Sequence, residues 1–566
     1  MQCIFRIMRI VKLRSPAFLR LPRGPSSFAC LPGSWRALHT KNAAPDDLFN
    51  STSGRWIYNE ALRLSERRTI FNIAGLRLLA AQSVGRTPSD IISLTKLAEG
   101  SWNRSFLITM RDDFQMVARI PYPCNEPSYY LLASEVATMD YLRNVVGIPI
   151  PQVYGYSAEE ENAAETRYIF MEYMRGSELR DVSSSFGEKD IVSVVRQLVK
   201  LEAKMMGVEF PAGSSLYYAR DLENVSAGKG VPMPDDPRFC VGSDVRASLW
   251  RGRRSQLEVN RGPYKTMQDA LVRGAHKELA FLERFGQPLF PFYRSRREAY
   301  NYQEQLPSDR AESLNRYLLI APSIVPHDPA LSSFRIRHPD LSHEGNILVS
   351  KTSDSDEWKI CSLIDWQYAS ILPISLSAGI PGCVDKNDGD PSFDPKTRPS
   401  LPVDFADLDD VLQDRELDRL RRHLRHYLYL KDTEELNPLH HAAMTDPPNA
   451  APPTSLRPIL LPVTREWDAL AGPAAGPCPI AFDSEDVTAA NRWHKDQVAV
   501  ELNLMFCLSV VGCGTKGWVN KEEYEEVLLE SQRMKEMLLE LAESPEERDA
   551  FLAHWFFDDM DEEKYR

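Results

Sequence analysis

His338-Pro339-Asp340-Leu341-Ser342-His343-Glu344-Gly345-Asn346-Ile347-Leu348-Val349 is the stretch that decides how this 566-residue chain is read, together with Ile364-Asp365-Trp366, whose aspartate lies nineteen residues beyond Asn346. Ile347-Leu348-Val349 and Ile360 to Ile364 are apolar runs joined by the polar turn Lys351 to Glu357, which predicts a hairpin whose two ends meet. Moving a phosphoryl group from ATP needs a carboxylate that positions the acceptor hydroxyl and takes its proton. It also needs an amide and a second carboxylate to hold magnesium against the phosphates. Three such groups stand here in that order: Asp340 as the base, Asn346 and Asp365 as the metal ligands. His338 reads as a structural histidine supporting the loop, and His343 as an exposed residue.

These residues resemble the catalytic loop (H-x-D-L-x-x-x-N-I) and the I-D-W or I-D-F element of the aminoglycoside phosphotransferase branch of the protein-kinase-like fold. The resemblance implies a bilobal α+β architecture, and upstream segments fall where it would put them. From Ile91 the pattern is that of an antiparallel meander, with a turn at Glu99-Gly100-Ser101-Trp102-Asn103 where the phosphate-covering loop would lie. Arg119 in Val117-Ala118-Arg119 takes the place of the phosphate-binding lysine. Glu135 would be its partner, on a helix whose face is Leu132, Val136, Met139 and Leu142. Met171-Glu172-Tyr173-Met174 resembles the hinge that bonds adenine through backbone groups. The expected nucleotide-binding residues are therefore Gly100, Arg119, Glu135, Glu172 and Met174.

Two departures accompany the likeness. Five residues separate Asp340 from Asn346 where the pattern has four, so the extra residue either bulges outward at Gly345 and leaves the ligands in place or displaces them and prevents metal binding. Arg119 presents a planar fork where lysine offers a point charge.

The wider chain resembles the fungal family called altered inheritance of mitochondria protein 9. The likeness lies in Thr52-Ser53-Gly54-Arg55-Trp56, Ala118-Arg119-Ile120-Pro121, Arg261-Gly262-Pro263-Tyr264, Ile364-Asp365-Trp366-Gln367 and Gly517-Trp518-Val519. It implies a mitochondrial kinase-like phosphotransferase domain. The predicted organisation is a transit peptide (1–45), a helical extension (46–90), an N-lobe (91–175) and a C-lobe (176–430). The C-lobe carries a helical insertion at about 208–321 and the catalytic loop at 338–366, and a C-terminal helical extension (431–566) follows.

Charge supports the address. Residues 1–45 hold eight Lys or Arg and no acid, interleaved with apolar side chains, as in a transit peptide, and point to the matrix. The remainder carries 59 basic against 80 acidic residues, a net of −21, which repels phosphate backbones and argues against nucleic acid as a partner. No run approaches the ~18 apolar residues of a membrane span. Nine scattered cysteines with no C-x-x-C pair give no disulfide framework or zinc site. Within the insertion, Trp250, Arg251, Arg253, Arg254, Arg261 and Tyr264 would either bind an anionic substrate or bridge to acidic helices. The expected activity is ATP- and magnesium-dependent phosphorylation of a hydroxyl on a small molecule or lipid head group. The alternative is a nucleotide-binding or inactive pseudokinase that serves as a scaffold in mitochondrial maintenance.

Overall fold

The computed structural model describes residues 45–566 apart from 224, 226–229, 343, 353–354, 387–392, 446–456 and 473–475. The expected transit segment, Pro45 excepted, and His343 lie outside the described residues. After a short strand β1 (Gly54–Trp56) and helices Glu60–Arg67 and Ile73–Ser83, the chain forms β2 (Ile91–Glu99), β3 (Asn103–Met110) and β4 (Gln115–Pro121). Helix Ser128–Tyr141 comes next, and then β5 (Val153–Ser157) and β6 (Tyr168–Glu172). The five strands make one antiparallel sheet in the order β2-β3-β4-β6-β5.

Successive strand residues point to opposite faces, and both faces of this sheet are apolar. Val117, Ile169 and Met171 pack with Leu131, Leu132 and Val136 of helix Ser128–Tyr141. Their neighbours Ala118 and Phe170 pack with Leu76, Ala80 and Ala81 of helix Ile73–Ser83. The extension before the sheet thus covers its outer face. Arg119, two residues from Val117, falls on the face that carries Glu135.

The second lobe opens with β7 (Ser177–Glu178) and helix Glu188–Met206. The insertion begins as a three-stranded antiparallel sheet, β8 (Ser215–Tyr218), β9 (Val231–Pro232) and β10 (Phe239–Gly242), before helices Met267–Phe285 and Pro307–Ile320. Strands of two to four residues are too short to register as a period, which is why the sequence predicts helices alone there. Of its arginines, Arg254 makes two bonds to Glu278, at 2.9 and 3.1 Å, and Arg261 lies over the Trp250 ring and bonds the carbonyls of Leu249 and Arg254. Both therefore bind within the protein.

β11 (Phe334–Ile336) leads to the hairpin of β12 (Ile347–Thr352) and β13 (Ser355–Leu363), and β14 (Ile371–Pro373) returns to β11. Ile347 pairs with Leu363, so Asn346 and Ile364 become neighbours and the Ile364 N–H donates to the Asn346 carbonyl at 3.0 Å. Helix Asp410–Leu436 packs beside helix Glu188–Met206, the two joined by Arg196 to Asp432 at 2.8 Å. In the C-terminal extension, helices Ser484–Val511 and Tyr524–Glu540 flank β15 (Trp518–Asn520), which pairs antiparallel with β1 in the register Gly54–Asn520, Arg55–Val519 and Trp56–Trp518. Among the described residues no helix is long and apolar enough to cross a membrane.

Candidate active site

Arg119 stands at the centre. Its side chain is buried, Nη1 donates to Glu135, and Nη2 lies 2.5 Å from Asp365 Oδ1 and 3.3 Å from Gln367 Oε1. Burial works against the guanidinium charge, but Glu135 and Asp365 outweigh it and keep the group protonated. Burial pushes the Glu135 carboxyl up to about 7 against the pull of Arg119, and the like charge of Asp365 adds to the rise.

Asp365 has a φ of +67°, a left-handed conformation costing a non-glycine residue ~1–2 kcal/mol and typical of functional turns. The turn sends Trp366 into the core, fully buried, and aims Asp365 back at Arg119, with 40% of its side chain left open to solvent. His338 supports this turn. Nε2 donates to the Ile364 carbonyl at 3.0 Å, Nδ1 accepts from the Asp340 N–H at 3.1 Å, and the ring packs edge-on against Trp366. That pattern requires a neutral imidazole, and burial lowers its pKa accordingly.

Asn346 donates its side-chain N–H to the Asp340 carbonyl at 2.9 Å, which leaves Oδ1 as the amide atom suited to a cation. The Asp340 carboxylate accepts from the Ser342 N–H at 3.1 Å and from the Ser342 hydroxyl. The outward bulge at Gly345 is not found. Gly345 is buried, and a Cβ at this position would fall 2.9 Å from Arg180 and 3.1 Å from Glu178. The extra length is absorbed in a 3₁₀ turn, Glu344–Asn346, anchored where Glu344 accepts from Ser183 Oγ at 2.5 Å and Arg425 at 2.6 Å.

Side-chain bonds thus join Arg119 with Glu135 and Asp365, a second bond joins Asn346 to the main chain of Asp340, and the two groups meet through the main-chain bond from Ile364 to Asn346. Gly100 lies at the β2–β3 turn, where its N–H bonds the Asn103 carbonyl at 2.9 Å. Glu172 ends β6 away from this set. Its side chain pairs with Arg143 at 3.2 Å and accepts from the Gln152 N–H at 3.1 Å. Met174 follows in the segment between β6 and β7. Sequence reasoning named Asn103 only within the β2–β3 turn and Gln367 only within a family motif and gave neither a role; they bond each other beside Arg119 at 3.3 Å.

The donor set suits magnesium: a partly open carboxylate and an amide oxygen are the hard ligands that ion prefers.

A kinase-like two-lobe α+β fold defines a class. The model of the phosphotransferase enzyme family (APH) matches residues 93–375, half of the chain, and the chain belongs to that family. More particularly, it is 29% identical to a subtelomeric hrmA-associated cluster protein of Aspergillus fumigatus, over 71% of this chain and 85% of that one. It is 26% identical to altered inheritance of mitochondria protein 9, mitochondrial, of Yarrowia lipolytica, over 60% of this chain and 61% of the relative. The Clavispora lusitaniae protein of the same name is 24% identical, with 60% and 62% covered. Similar solved structures include the streptomycin–ATP–APH(2″)-IIa ternary complex (13% identity, 55% of this chain and 77% of that one, TM-score 0.30). Another is an ethanolamine kinase of Plasmodium vivax (12% identity, 72% and 81%, TM-score 0.29).

Proposed function

We propose that this protein is a mitochondrial phosphotransferase that uses ATP and magnesium to phosphorylate a hydroxyl group of a small molecule or lipid head group. The observation that carries the reading is the link from the Asp340 carbonyl through Asn346 and the Asn346–Ile364 bond to Asp365 on Arg119. In this reading Asp340 orients the acceptor hydroxyl and takes its proton. Asn346 Oδ1 and the Asp365 carboxylate hold magnesium, which when bound supplies neutralising charge beside the phosphates. Arg119 keeps Nη1 on Glu135 and turns Nη2 from Asp365 to phosphate oxygens, a division of labour that a two-pronged guanidinium allows and an ammonium does not. The backbone at Glu172 and Met174 takes the adenine. The mitochondrial location rests on relatives bearing that address in their names and on the acid-free basic segment at the start of the chain.

A scaffold that does not turn over is the second reading, and it has one observation in its favour: Arg119 Nη2 already has two protein acceptors, Asp365 and Gln367. Melting temperature with ATP and magnesium separates the two. The phosphotransferase reading expects a rise of a few degrees when ligand reaches ~100 times its Kd, equivalent to ~2.7 kcal/mol, and its loss in Asp365→Asn. No rise in the unaltered protein overturns it.

A further inference from the structure

We propose that Gln367 is a positioning residue of the nucleotide site. Its side-chain oxygen fixes the phosphate-gripping nitrogen of Arg119 and, through Asn103, pins the 99–103 turn above the phosphates. The inference deepens the phosphotransferase reading and rests on it.

Gln367 is buried, and its Oε1 accepts from both Arg119 Nη2 and Asn103 Nδ2, each at 3.3 Å. An amide oxygen has two lone pairs, and these two donors use both. The side chain arrives there because the chain turns sharply twice, at Asp365 and again at Tyr368, whose φ is +66°.

The pinned turn is not a glycine-rich flap. Gly100, its single glycine, does not lie in the left-handed region, and a Cβ there would come no closer than 3.4 Å to another residue. Side chains set its position instead. The Trp102 carbonyl accepts from the Tyr122 N–H at 2.9 Å and from Asn125 Nδ2 at 2.6 Å, and its ring packs edge-on against Tyr368, next to Gln367 in sequence, at 5.7 Å. Gln367 and Tyr368 thus hold the turn from the opposite lobe, on the same short segment that carries Asp365.

The chemistry requires an uncharged acceptor at this place. Once Asp365 has moved to a metal, Gln367 keeps Arg119 Nη2 in line while leaving its positive charge for the phosphates. A carboxylate at 367 would neutralise that charge, and an aliphatic side chain would remove the acceptor that Arg119 Nη2 and Asn103 Nδ2 share.

The test is calorimetric titration of the full chain and its Gln367→Leu and Gln367→Glu variants with ATP plus magnesium, and separately with adenosine, which has no phosphate. The expected result is equal adenosine affinity in all three proteins. ATP affinity should fall about tenfold in Gln367→Leu, as for loss of a hydrogen bond to a charged group, and further in Gln367→Glu through the added like charge. The nearly isosteric Gln367→Glu should melt without ligand close to the unaltered protein, which keeps the result readable should the leucine variant fold poorly. Unchanged ATP affinity in Gln367→Glu overturns the inference, as does adenosine affinity falling in step with that for ATP. An unaltered protein that binds neither ligand overturns the nucleotide reading itself and this inference with it.

Discussion

Asp365 Oδ1 lies 2.5 Å from Arg119 Nη2, so the carboxylate assigned to the metal and the cation assigned to phosphate are here bonded to each other. The like charge of Asp365 is among the causes that raise Glu135 to about 7. A carboxyl raised in the folded state keeps a proton that the unfolded chain has lost, so between pH ~4.5 and ~7 Glu135 makes stability fall as pH rises. In Asp365→Asn that fall should be shallower. Melting temperatures of both proteins from pH 5 to 7.5 check this, and a steeper decline in the variant contradicts it.

Glu99 should act in the opposite sense. Burial alone would raise its carboxyl, but Lys96 at 2.6 Å, the Ser53 hydroxyl at 2.6 Å and Arg104 outweigh it and hold the group at about 2. The backbone N–H groups of Thr52 and Ser53 also donate to it, both at 2.9 Å. A depressed carboxyl stabilises the fold above its unfolded pKa, and that contribution is lost as pH falls from ~4.5 toward 2. Glu99→Gln should cost ~3 kcal/mol at pH 7, since each tenfold change in proton affinity corresponds to ~1.4 kcal/mol. Its deficit against the unaltered protein should shrink in acid, as read from urea midpoints at pH 7 and pH 4.

Arg425→Ala should loosen the catalytic loop without touching Asp340 or Asn346. It removes the 2.6 Å anchor on Glu344 and leaves a half-buried carboxylate with Ser183 as its remaining anchor, at a cost of ~1–3 kcal/mol. Hydrogen exchange should quicken at residues 344–349 and stay unchanged in β3 and β4. Equal changes in both regions would show that the anchor serves global stability instead.

Gly54→Ala should separate β1 from β15. A Cβ at this position would sit 2.1 Å from Trp518 Nε1, so either the ring or the strand must shift. Exchange at residues 54–56 and 518–520 should accelerate together. Protection unaltered in both strands would mean that the ring has room to move.

The proximity of these residues was legible because its signals are local: Asp340 and Asn346 lie within seven residues, Asp365 follows one hairpin later, and Arg119 and Glu135 are sixteen apart on a strand and the next helix. Alternation along β2, β3 and β4 and the helical face of Leu132, Val136 and Met139 were equally plain. What stayed hidden depends on pairing across long separations. Three-residue strands β1 and β15 have no readable period, and nothing near Glu99 announces that Thr52 and Ser53 will solvate it. Gln367 escaped for another reason: its role comes from two left-handed turns that bring it beneath Asn103, and composition does not encode that geometry.

The joining of β1 to β15 also bears on timing. Gly54 meets Asn520, so β1 waits for a strand made hundreds of residues later, and residues 51–53, which grip Glu99 at the foot of the β2–β3 turn, run directly into β1. Contacts spanning such separations form late. A polypeptide that emerges or is threaded head-first would complete both lobes before β1 found its partner, so the segment that holds Glu99 would be among the last parts of the molecule to be tied down.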